Sequence, residues 1–420
     1  MPGKVSLLDE LAWRGLLHQH TDGLGQALAA KSISAYCGFD PTAASMHVGN
    51  LVPVMGLVHL QLSGHTPYAV VGGGTGLIGD PSGKTTERQL NSVDIVEANS
   101  RGLRSQLEKF LDFSGANAAE MRNNVDWLQP LGAIEFMRDI GKHFTVNYMM
   151  AKESVQQRIE SGISYTEFSY MLLQAYDYRE LFRREGVSLQ VGGSDQWGNI
   201  TAGLELIRRS EGGEAHALTF PLVTNASGTK FGKTESGSVW LDPALTSPYQ
   251  FYQFWVNVDD RDAGRYLRFF TLLSRQDIEA LDADVAERPQ ERAAQRVLAR
   301  DVTTRVHGAD AARIAEDMSR LLFAKGDPAA LSSEALEALS REVPFVEIAG
   351  FANVVDALVE LKLVASKGAA RRLVEQGGVS LNGRRIDTPM DPVGEPLAGG
   401  YYLLRKGARD YGLVRSRAGR

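Results

Sequence analysis

The sequence predicts an α/β protein in which a parallel sheet is followed by an all-helical region and a small α+β region. Two short apolar runs, Ile33–Phe39 and Pro67–Gly72, flank a helical pattern over Val48–Leu62, and a strand–helix–strand unit implies parallel strands. From Pro248 to Phe323 the pattern is almost wholly helical, and a linker is expected near Glu342–Pro344. A chain of 420 residues is too long for one core, so we expect two or three domains.

The elements of the first region alternate as they do in a Rossmann-like domain. After the first unit, the predicted order is helices at Val93–Phe110, Leu131–Ile140 and Thr166–Phe182, a strand at Ser188–Gly192, a helix at Gln196–Ser210 and a strand at Ala217–Val223. In such sheets ligands bind outside the carboxyl ends of the strands. We therefore expect a Rossmann-like parallel-sheet catalytic domain over residues 1–223.

Two further domains are predicted beyond it. A polar loop over Asn225–Glu235 leads into helices broken at Asp259-Asp260 and Arg288-Pro289, which makes residues 224–342 an all-helical domain. Residues 343–420 form a small α+β domain, in which Asn382-Gly383 is a hairpin turn. Its predicted helices are Val354–Leu363 and Lys367–Gln376, and its predicted strands are Val379–Leu381, Arg384–Ile386, Tyr401–Lys406 and Tyr411–Arg415.

Composition narrows the class of protein. The chain is 43% hydrophobic and 23% charged, as in ordinary soluble proteins, and one cysteine, Cys37, excludes a disulfide framework or a multi-cysteine metal site. The N-terminus has no apolar run typical of a secretory signal, so a cytoplasmic location is expected. Residues from Pro41 to Gly79 carry no charge, but Pro53, Pro67 and many glycines oppose a membrane span and favour a buried site for an anion.

Charge is distributed unevenly along the chain. The net charge is −6, yet residues 351–420 hold 12 Lys and Arg against 7 Asp and Glu. A basic C-terminal module on an acidic body is typical of an RNA-binding appendage, although a merely solvated surface would give the same bias.

Two glycine-rich matches favour other functions only weakly. Gly74–Gly79 fits G-x-G-x-x-G, but the Asp80–Gly83 segment that follows is a poor helix start, which a dinucleotide site requires. Gly79–Thr85 has one residue too few between its glycines for a phosphate-binding P-loop. A dehydrogenase and a P-loop NTPase are therefore disfavoured.

Two short motifs lie far apart in the chain, His47-Val48-Gly49-Asn50 and Lys230-Phe231-Gly232-Lys233-Thr234. In this order they resemble the ATP-handling HIGH and KMSKS motifs of class I aminoacyl-tRNA synthetases. Asn50 replaces the second histidine, and Phe231 and Gly232 replace Met and Ser, while both lysines are kept. The whole chain resembles bacterial tyrosyl-tRNA synthetases, most specifically over Tyr36–Thr42, Gly79–Lys84, Tyr170–Asp177 and Gly192–Asn199.

The resemblance implies a tyrosine site in which Tyr36 and Asp177 meet the phenol hydroxyl. Buried polar groups that need a hydroxyl partner reject phenylalanine, because they would be left unpaired. Tyr170, Gln174 and Asp177 have the i, i+4, i+7 spacing of one helix face. The implied tyrosine-binding set is Tyr36, Asp80, Tyr170, Gln174, Asp177 and Gln190.

The same resemblance implies how ATP is held. The implied adenosine, ribose and α-phosphate contacts are Cys37, Gly38, Asp40, Asn50, Gly192, Asp195 and Gln196; a plain buried role for Cys37 is the alternative. The implied catalytic groups, which bind the outer phosphates, are Thr42, His47, Lys84, Arg88, Lys230 and Lys233. Catalysis would rest on positioning and charge neutralisation, with Mg²⁺ arriving on ATP and no protein-bound structural metal.

The resemblance further implies activation of L-tyrosine with ATP and its transfer to the 3′ end of tRNA(Tyr). It implies a homodimer with an interface near residues 128–151, no membrane association, and a C-terminal module like an RNA-binding ribosomal-protein domain. The implied tRNA contacts are Lys367, Arg371, Arg372, Arg384 and Arg385, with Arg405 and Lys406. Two rivals remain, a non-catalytic RNA-binding scaffold and a tryptophan-specific enzyme; the lysine set opposes the first, and Tyr36 with Asp177 favours a phenol over an indole.

Overall fold

The computed structural model describes residues 6–82, 90–159, 162–234, 237–324 and 326–417. The predicted site residues Lys84 and Arg88 lie outside these ranges. The chain forms two compact units. The first takes in the described residues up to Thr246 together with Val256–Leu298, and the second takes in Ser247–Trp255 and the residues from Ala299 onward.

The strands fall into three sheets. In chain order they are β1 (Gln19–His20), β2 (Ser34–Phe39), β3 (Thr66–Val71), β4 (Glu120–Asn123), β5 (Val187–Gly193), β6 (His216–Phe220), β7 (Lys233–Thr234), β8 (Gly237–Ser238), β9 (Phe345–Ala349), β10 (Val379–Leu381), β11 (Arg384–Arg385), β12 (Tyr401–Lys406) and β13 (Asp410–Arg417).

The helices occupy both units. They are α1 (Leu7–Arg14), α2 (Leu24–Ala30), α3 (Leu51–Leu62), α4 (Val93–Leu107), α5 (Val125–Leu128), α6 (Ala133–Glu135), α7 (Val146–Met150), α8 (Glu153–Ile159), α9 (Tyr165–Glu185), α10 (Trp197–Ser210), α11 (Pro248–Val256), α12 (Asp260–Phe270), α13 (Arg275–Glu287), α14 (Ala293–His307), α15 (Ala309–Ala324), α16 (Ser333–Leu339), α17 (Val354–Glu360) and α18 (Lys367–Glu375). None of these described helices combines the length and the apolar character that crossing a membrane requires.

The six-stranded sheet of the first unit has the order β1-β6-β5-β2-β3-β4. The five strands from β6 to β4 run parallel. The parallel sheet and four of these strands are predicted from the sequence, whereas β4 and the short edge strand β1, which runs antiparallel to β6, are not. Parallel strands bring their carboxyl ends to one edge, so the residues that follow β2, β3 and β5 share that edge.

Helix α9 supplies one wall of the first unit. It begins where the Ser164 side chain accepts a hydrogen bond from the backbone N–H of Glu167, and it ends at Gly186 in the left-handed conformation. Its apolar residues pack with those of α10 and the sheet in one core cluster that includes Tyr36, Tyr178 and Leu206. Burial of this face fixes which side chains of α9 point toward the sheet.

The second unit contains the five-stranded sheet, in the order β11-β10-β12-β13-β9. Strand β9 was missed: it follows directly on the segment expected to be a linker, and it pairs in parallel with β13, far along the chain. The helical region has two breaks that the sequence pattern did not reveal, at Thr271–Ser274 and at Gly308. The helix predicted over Leu131–Ile140 begins only at Ala133.

Candidate active site

A cavity of about 560 Å³ lies at the carboxyl edge of the parallel sheet. Lys233, on β7, is exposed and is not among the lining residues. The predicted residues that line the cavity are Tyr36, Cys37, Gly38, Asp40, Thr42, His47, Asn50, Asp80, Tyr170, Gln174, Asp177, Gln190, Gly192, Asp195, Gln196 and Lys230. Residues spread over almost 200 positions of sequence therefore surround one space.

Two buried polar atoms at one end of the cavity have no hydrogen-bond partner among the described residues. Tyr36 and Gln190 are register neighbours on β2 and β5, 1% and 2% exposed. Within the described part of the chain, neither the Tyr36 hydroxyl nor Gln190 Oε1 has a hydrogen-bond partner. Burial, followed by the Asp177 carboxylate, raises the pKa of the Tyr36 phenol well above its ordinary value, so this hydroxyl is a permanent donor. Unpaired buried groups that face a cavity fit a polar ligand.

The Asp177 carboxylate lies at the same end and is 5% exposed. Trp127 Nε1 donates to Oδ1 at 2.7 Å, and Asn124 Nδ2 donates to Oδ2 at 2.9 Å. Burial raises the pKa of Asp177 from 3.8 to about 7, although these two hydrogen bonds act in the opposite direction. Each carboxylate oxygen keeps a lone pair for a further donor.

A chain of hydrogen bonds runs along the cavity from this carboxylate. Asn124 Nδ2 also donates to Thr75 Oγ1 at 2.9 Å, and Thr75 Oγ1 donates to Asp40 Oδ1 at 2.7 Å. The Tyr170 hydroxyl donates to Asp40 Oδ2 at 2.8 Å. Burial, then Asp40, raises the pKa of Tyr170 well above its ordinary value, so Tyr170 remains a donor. The network links Asp177 to the acidic group at Asp40.

A second cluster surrounds Asp80. Gln196 Nε2 donates to Asp80 Oδ2 at 2.6 Å, and the Ser82 backbone N–H donates to Oδ1 at 2.9 Å. Asn199 Nδ2 approaches Asp80 Oδ1, Ser82 Oγ and Gln196 Oε1 at 3.2 to 3.4 Å. Burial, then Asp80, raises the pKa of neighbouring Asp195. This side of the cavity is therefore rich in carboxylates, which suits a cation.

The His47–Asn50 turn begins helix α3 through a reciprocal cap. The Gly49 N–H donates to His47 Nδ1 at 3.1 Å, and the His47 N–H donates to Asn50 Oδ1 at 3.0 Å. The Asn50 oxygen thus has a structural role, and its amide nitrogen is the group suited to donate to a ligand. On β2, burial raises the pKa of the Cys37 thiol to about 12, so the side chain is neutral.

The lysine loop, Lys230–Thr234, is fixed by its central residues. Phe231 packs against Tyr266 and Phe270, with ring centroids 4.8 and 5.1 Å away. Gly232 has φ 80°, and a Cβ there would lie 2.6 Å from Val48 Cγ2. Val239 links the two segments: its backbone N–H donates to the Gly232 carbonyl, and its carbonyl accepts a hydrogen bond from the Val48 N–H. Glycine is thus needed for the lysine loop to approach the His47 turn.

Sequence reasoning missed several residues of this site. Asn124 and Trp127 hold Asp177, Thr75 bridges to Asp40, Asn199 lies beside Asp80, and the Trp240 ring faces His47 at 6.0 Å. Asn124 follows β4, a strand of polar and half-buried residues whose sequence has no alternating pattern. Thr75 and Asn199 lie inside motif stretches, Gly74–Gly79 and Gly192–Asn199, but no local signal gives either of them a role in the site, and none marks Asn124, Trp127 or Trp240.

Comparison with known proteins identifies the family. A family model described as class I tRNA synthetases (W and Y) matches residues 28–324, and one described as a tyrosine–tRNA ligase SYY-like C-terminal domain matches residues 335–414. The tyrosine–tRNA ligase of Anaeromyxobacter dehalogenans is 56% identical, and that of Geobacillus stearothermophilus is 52% identical. Each alignment covers 98% of this chain and 100% of the relative.

Solved structures agree. A C-terminally truncated mitochondrial tyrosyl-tRNA synthetase of Aspergillus nidulans matches with TM-score 0.70 and 30% identity, over 76% of this chain and 95% of that one. A tryptophanyl-tRNA synthetase of Encephalitozoon cuniculi, 14% identical with TM-score 0.52, shares the fold over 72% of this chain and 86% of its own. Full-length identity above half, together with the two family models, shows that the chain belongs to the tyrosine–tRNA ligases among the class I aminoacyl-tRNA synthetases.

Proposed function

We propose that the cavity binds L-tyrosine and ATP side by side and that tyrosyl-adenylate forms in it. As a member of its family the chain is a tyrosine–tRNA ligase, which joins tyrosine to AMP with release of pyrophosphate and then transfers tyrosine to the 3′ end of tRNA(Tyr). The observation that carries the site assignment is the pair of unsatisfied buried groups, Tyr36 hydroxyl and Gln190 Oε1, beside the Asp177 carboxylate.

The phenol of the substrate is proposed to lie between Tyr36 and Asp177. The Tyr36 hydroxyl donates a hydrogen bond to the phenol oxygen, and the Asp177 carboxylate accepts a hydrogen bond from the phenol O–H. Both groups are buried, so an amino acid without the hydroxyl leaves them unpaired and binds less well. The substrate ammonium is proposed to lie among Tyr170, Gln174 and Asp80, where Asp40 adds negative charge.

The nucleotide is proposed to occupy the remaining length of the cavity. Cys37, Gly38, Asp40, Asn50, Gly192, Asp195 and Gln196 would line adenosine, ribose and the α-phosphate. A Cβ at Gly38 would meet no protein atom within 4 Å, so this position leaves the cavity open for the ligand. Asn50 is proposed to donate from its amide nitrogen, since its oxygen caps the turn.

The outer phosphates are proposed to meet Thr42, His47, Lys230 and Lys233, with Lys84 and Arg88. In-line attack by the tyrosine carboxylate on the α-phosphate places growing negative charge on pyrophosphate. Donors and cations that tighten on the leaving group at that stage lower the barrier. Mg²⁺ is proposed to enter with ATP as part of the substrate, where it would neutralise charge on the phosphates.

The C-terminal residues 343–420 are proposed to bind tRNA, residues 224–342 are proposed as the helical anticodon-side domain, and residues 1–223 as the catalytic domain. Support comes from five exposed cations on α18 and β11, namely Lys367, Arg371, Arg372, Arg384 and Arg385. Such side chains contact phosphates and set register more than sequence. Lys367 and Arg385 pair with Asp356 and Asp387 but remain exposed. Lys406 fits less well, because it is half-buried and its ammonium donates to the Leu363 carbonyl and pairs with Asp410.

A cytoplasmic homodimer is proposed as the working form. The segment near residues 128–151 exposes the large apolar side chains of Ile134, Met137 and Val146, which a partner copy would cover. Sedimentation of the wild-type protein and of an Ile134→Asp, Val146→Asp variant tests this, and a wild-type monomer at micromolar concentration would refute it. The single buried thiol, Cys37, is consistent with a reducing compartment.

Amino-acid-dependent ATP–pyrophosphate exchange tests the proposal as a whole. The purified protein is assayed with tyrosine, phenylalanine and tryptophan. Exchange with tyrosine alone is expected. Exchange with tryptophan would point to the indole-specific relative, and folded protein without exchange would point to an RNA-binding scaffold.

A further inference from the structure

Helix α4 packs against the loop of residues 41–46, which carries Thr42 and leads into the His47 turn. Three of its residues, Asn99, Gly102 and Gln106, have the i, i+3, i+7 spacing that puts them on one helix face. This face carries two carboxamides and a glycine where an ordinary core contact would carry apolar side chains. The contacts of the tyrosine and ATP cavity do not account for these polar residues on α4.

The first two residues hold the start and middle of the loop. Asn99, 7% exposed, donates from Nδ2 to the Pro41 carbonyl at 3.0 Å. At Gly102, a Cβ would lie 2.4 Å from the Ala44 carbonyl oxygen. The loop backbone therefore lies directly on the helix at a distance that only glycine permits.

Gln106 holds the end of the loop and is 6% exposed. Its Oε1 accepts from the Met46 N–H at 2.8 Å, and its Nε2 donates to Ser45 Oγ at 2.8 Å. The Ser45 hydroxyl donates to the Met46 carbonyl at 2.7 Å and accepts from the Asp242 N–H at 3.1 Å. Gln106 is thus joined both to the residue before His47 and, through Ser45, to the segment that follows the lysine loop.

We infer that Asn99, Gly102 and Gln106 are positioning residues for the phosphate-binding groups of the reaction. They fix the backbone of 41–46 at both ends and so set where Thr42 and His47 meet the outer phosphates of ATP. The inference rests on the proposed function, because it gives this loop a task only if ATP is bound there. A fully satisfied buried polar network defines one loop conformation more sharply than an apolar contact does.

The geometry implies a selective kinetic defect when the face is altered. A loop displaced by about 1 Å costs on the order of a hundredfold in a reaction that depends on alignment. The tyrosine end of the cavity, formed by β2, β5 and α9, makes none of these contacts with α4. Tyrosine affinity should therefore survive a change that slows adenylate formation.

The test compares Gln106→Leu and Gly102→Ala with Ser100→Ala as the matched control. Ser100 is also buried on α4, and its hydroxyl donates within its own helix, to the Val96 carbonyl at 2.7 Å, and not to the loop of residues 41–46. Stopped-flow measurement gives the rate of tyrosyl-adenylate formation at saturating substrates, and equilibrium titration gives the tyrosine dissociation constant. Thermal unfolding of each variant identifies a fold defect, and Gln106→Glu replaces Gln106→Leu if the latter does not fold.

We expect adenylate formation to fall about ten- to hundredfold in both face variants and less than twofold in Ser100→Ala, with tyrosine affinity unchanged. In a Thr42→Ala background the loss from Gln106→Leu should shrink, because both changes remove the same phosphate contact. Equal losses in both backgrounds, or a loss of tyrosine affinity that matches the loss of rate, would overturn the inference alone. Wild-type protein that makes no adenylate would overturn the proposed function instead.

Discussion

Replacing Asp177 with asparagine tests two opposing effects on one buried carboxyl group: substrate binding favours its charged form, and burial favours its neutral form. The carboxylate is proposed to accept a hydrogen bond from the substrate phenol O–H, an interaction that is strongest with the charged form. Its burial disfavours that form and raises the pKa from 3.8 to about 7. Asparagine keeps the shape and an oxygen for Trp127 Nε1, but it carries no charge at any pH.

The effect on stability follows from proton linkage. Between pH 3.8 and about 7 the folded protein keeps the Asp177 proton and the unfolded chain does not, so raising the pH favours unfolding. A shift of roughly three pKa units is worth about 4 kcal/mol, of which about 3 kcal/mol falls between pH 5 and pH 8. The asparagine variant does not titrate at this position, so its free energy of unfolding does not fall with pH for this reason. It should therefore become the more stable protein, relative to wild type, as the pH rises.

Urea unfolding at a series of pH values measures this difference. Asp112→Asn is the control, because Asp112 is exposed and its hydrogen bonds with Ser114 lower its pKa, so its effect should stay flat over this range. In exchange assays at pH 8, Asp177→Asn should lose about tenfold or more in kcat/KM for tyrosine, the value of a hydrogen bond to a charged group. A stability difference independent of pH, or one that favours wild type more at pH 8 than at pH 5, would refute the reasoning.

Three further predictions address other parts of the site. Lys233→Ala should slow adenylate formation with little change in tyrosine affinity, because we propose that Lys233 contacts the pyrophosphate mainly in the transition state; a pure binding defect in titrations would contradict this. Phe231→Ala should lower the free energy of unfolding by about 3 kcal/mol, against little effect from Phe113→Ala on the surface. The double variant Arg371→Ala, Arg372→Ala should bind tRNA more weakly and with a smaller salt dependence, while its ATP–pyrophosphate exchange stays normal. Loss of ATP–pyrophosphate exchange would contradict a role in tRNA binding alone.

Much of the fold could be predicted because its signals are local. Strands β2 and β3 are short apolar runs beside turn residues, and α9 has both a serine cap and a terminal glycine. Elements that depend on partners were missed. Strand β4 is polar and half-buried, and β9 gains its role only by pairing in parallel with β13, which lies far along the chain.

The site residues also fall into two groups, those with a local sequence signal and those without one. Sixteen predicted residues line one cavity because the motif residues follow strand ends or lie on one face of α9, which topology brings together. The supporting residues Asn124, Trp127 and Gln106 were not predicted. They act through hydrogen bonds across long sequence distances, and their identity depends on packing that no local pattern records.

The central claim is that Tyr36 and Asp177 together select the substrate by its phenol hydroxyl. The most direct measurement is kcat/KM for tyrosine and for phenylalanine in ATP–pyrophosphate exchange, with wild type and with Tyr36→Phe. We expect wild type to prefer tyrosine strongly, and Tyr36→Phe to reduce kcat/KM for tyrosine more than for phenylalanine. An equal loss for both amino acids, or wild-type protein that activates them equally, would contradict the claim.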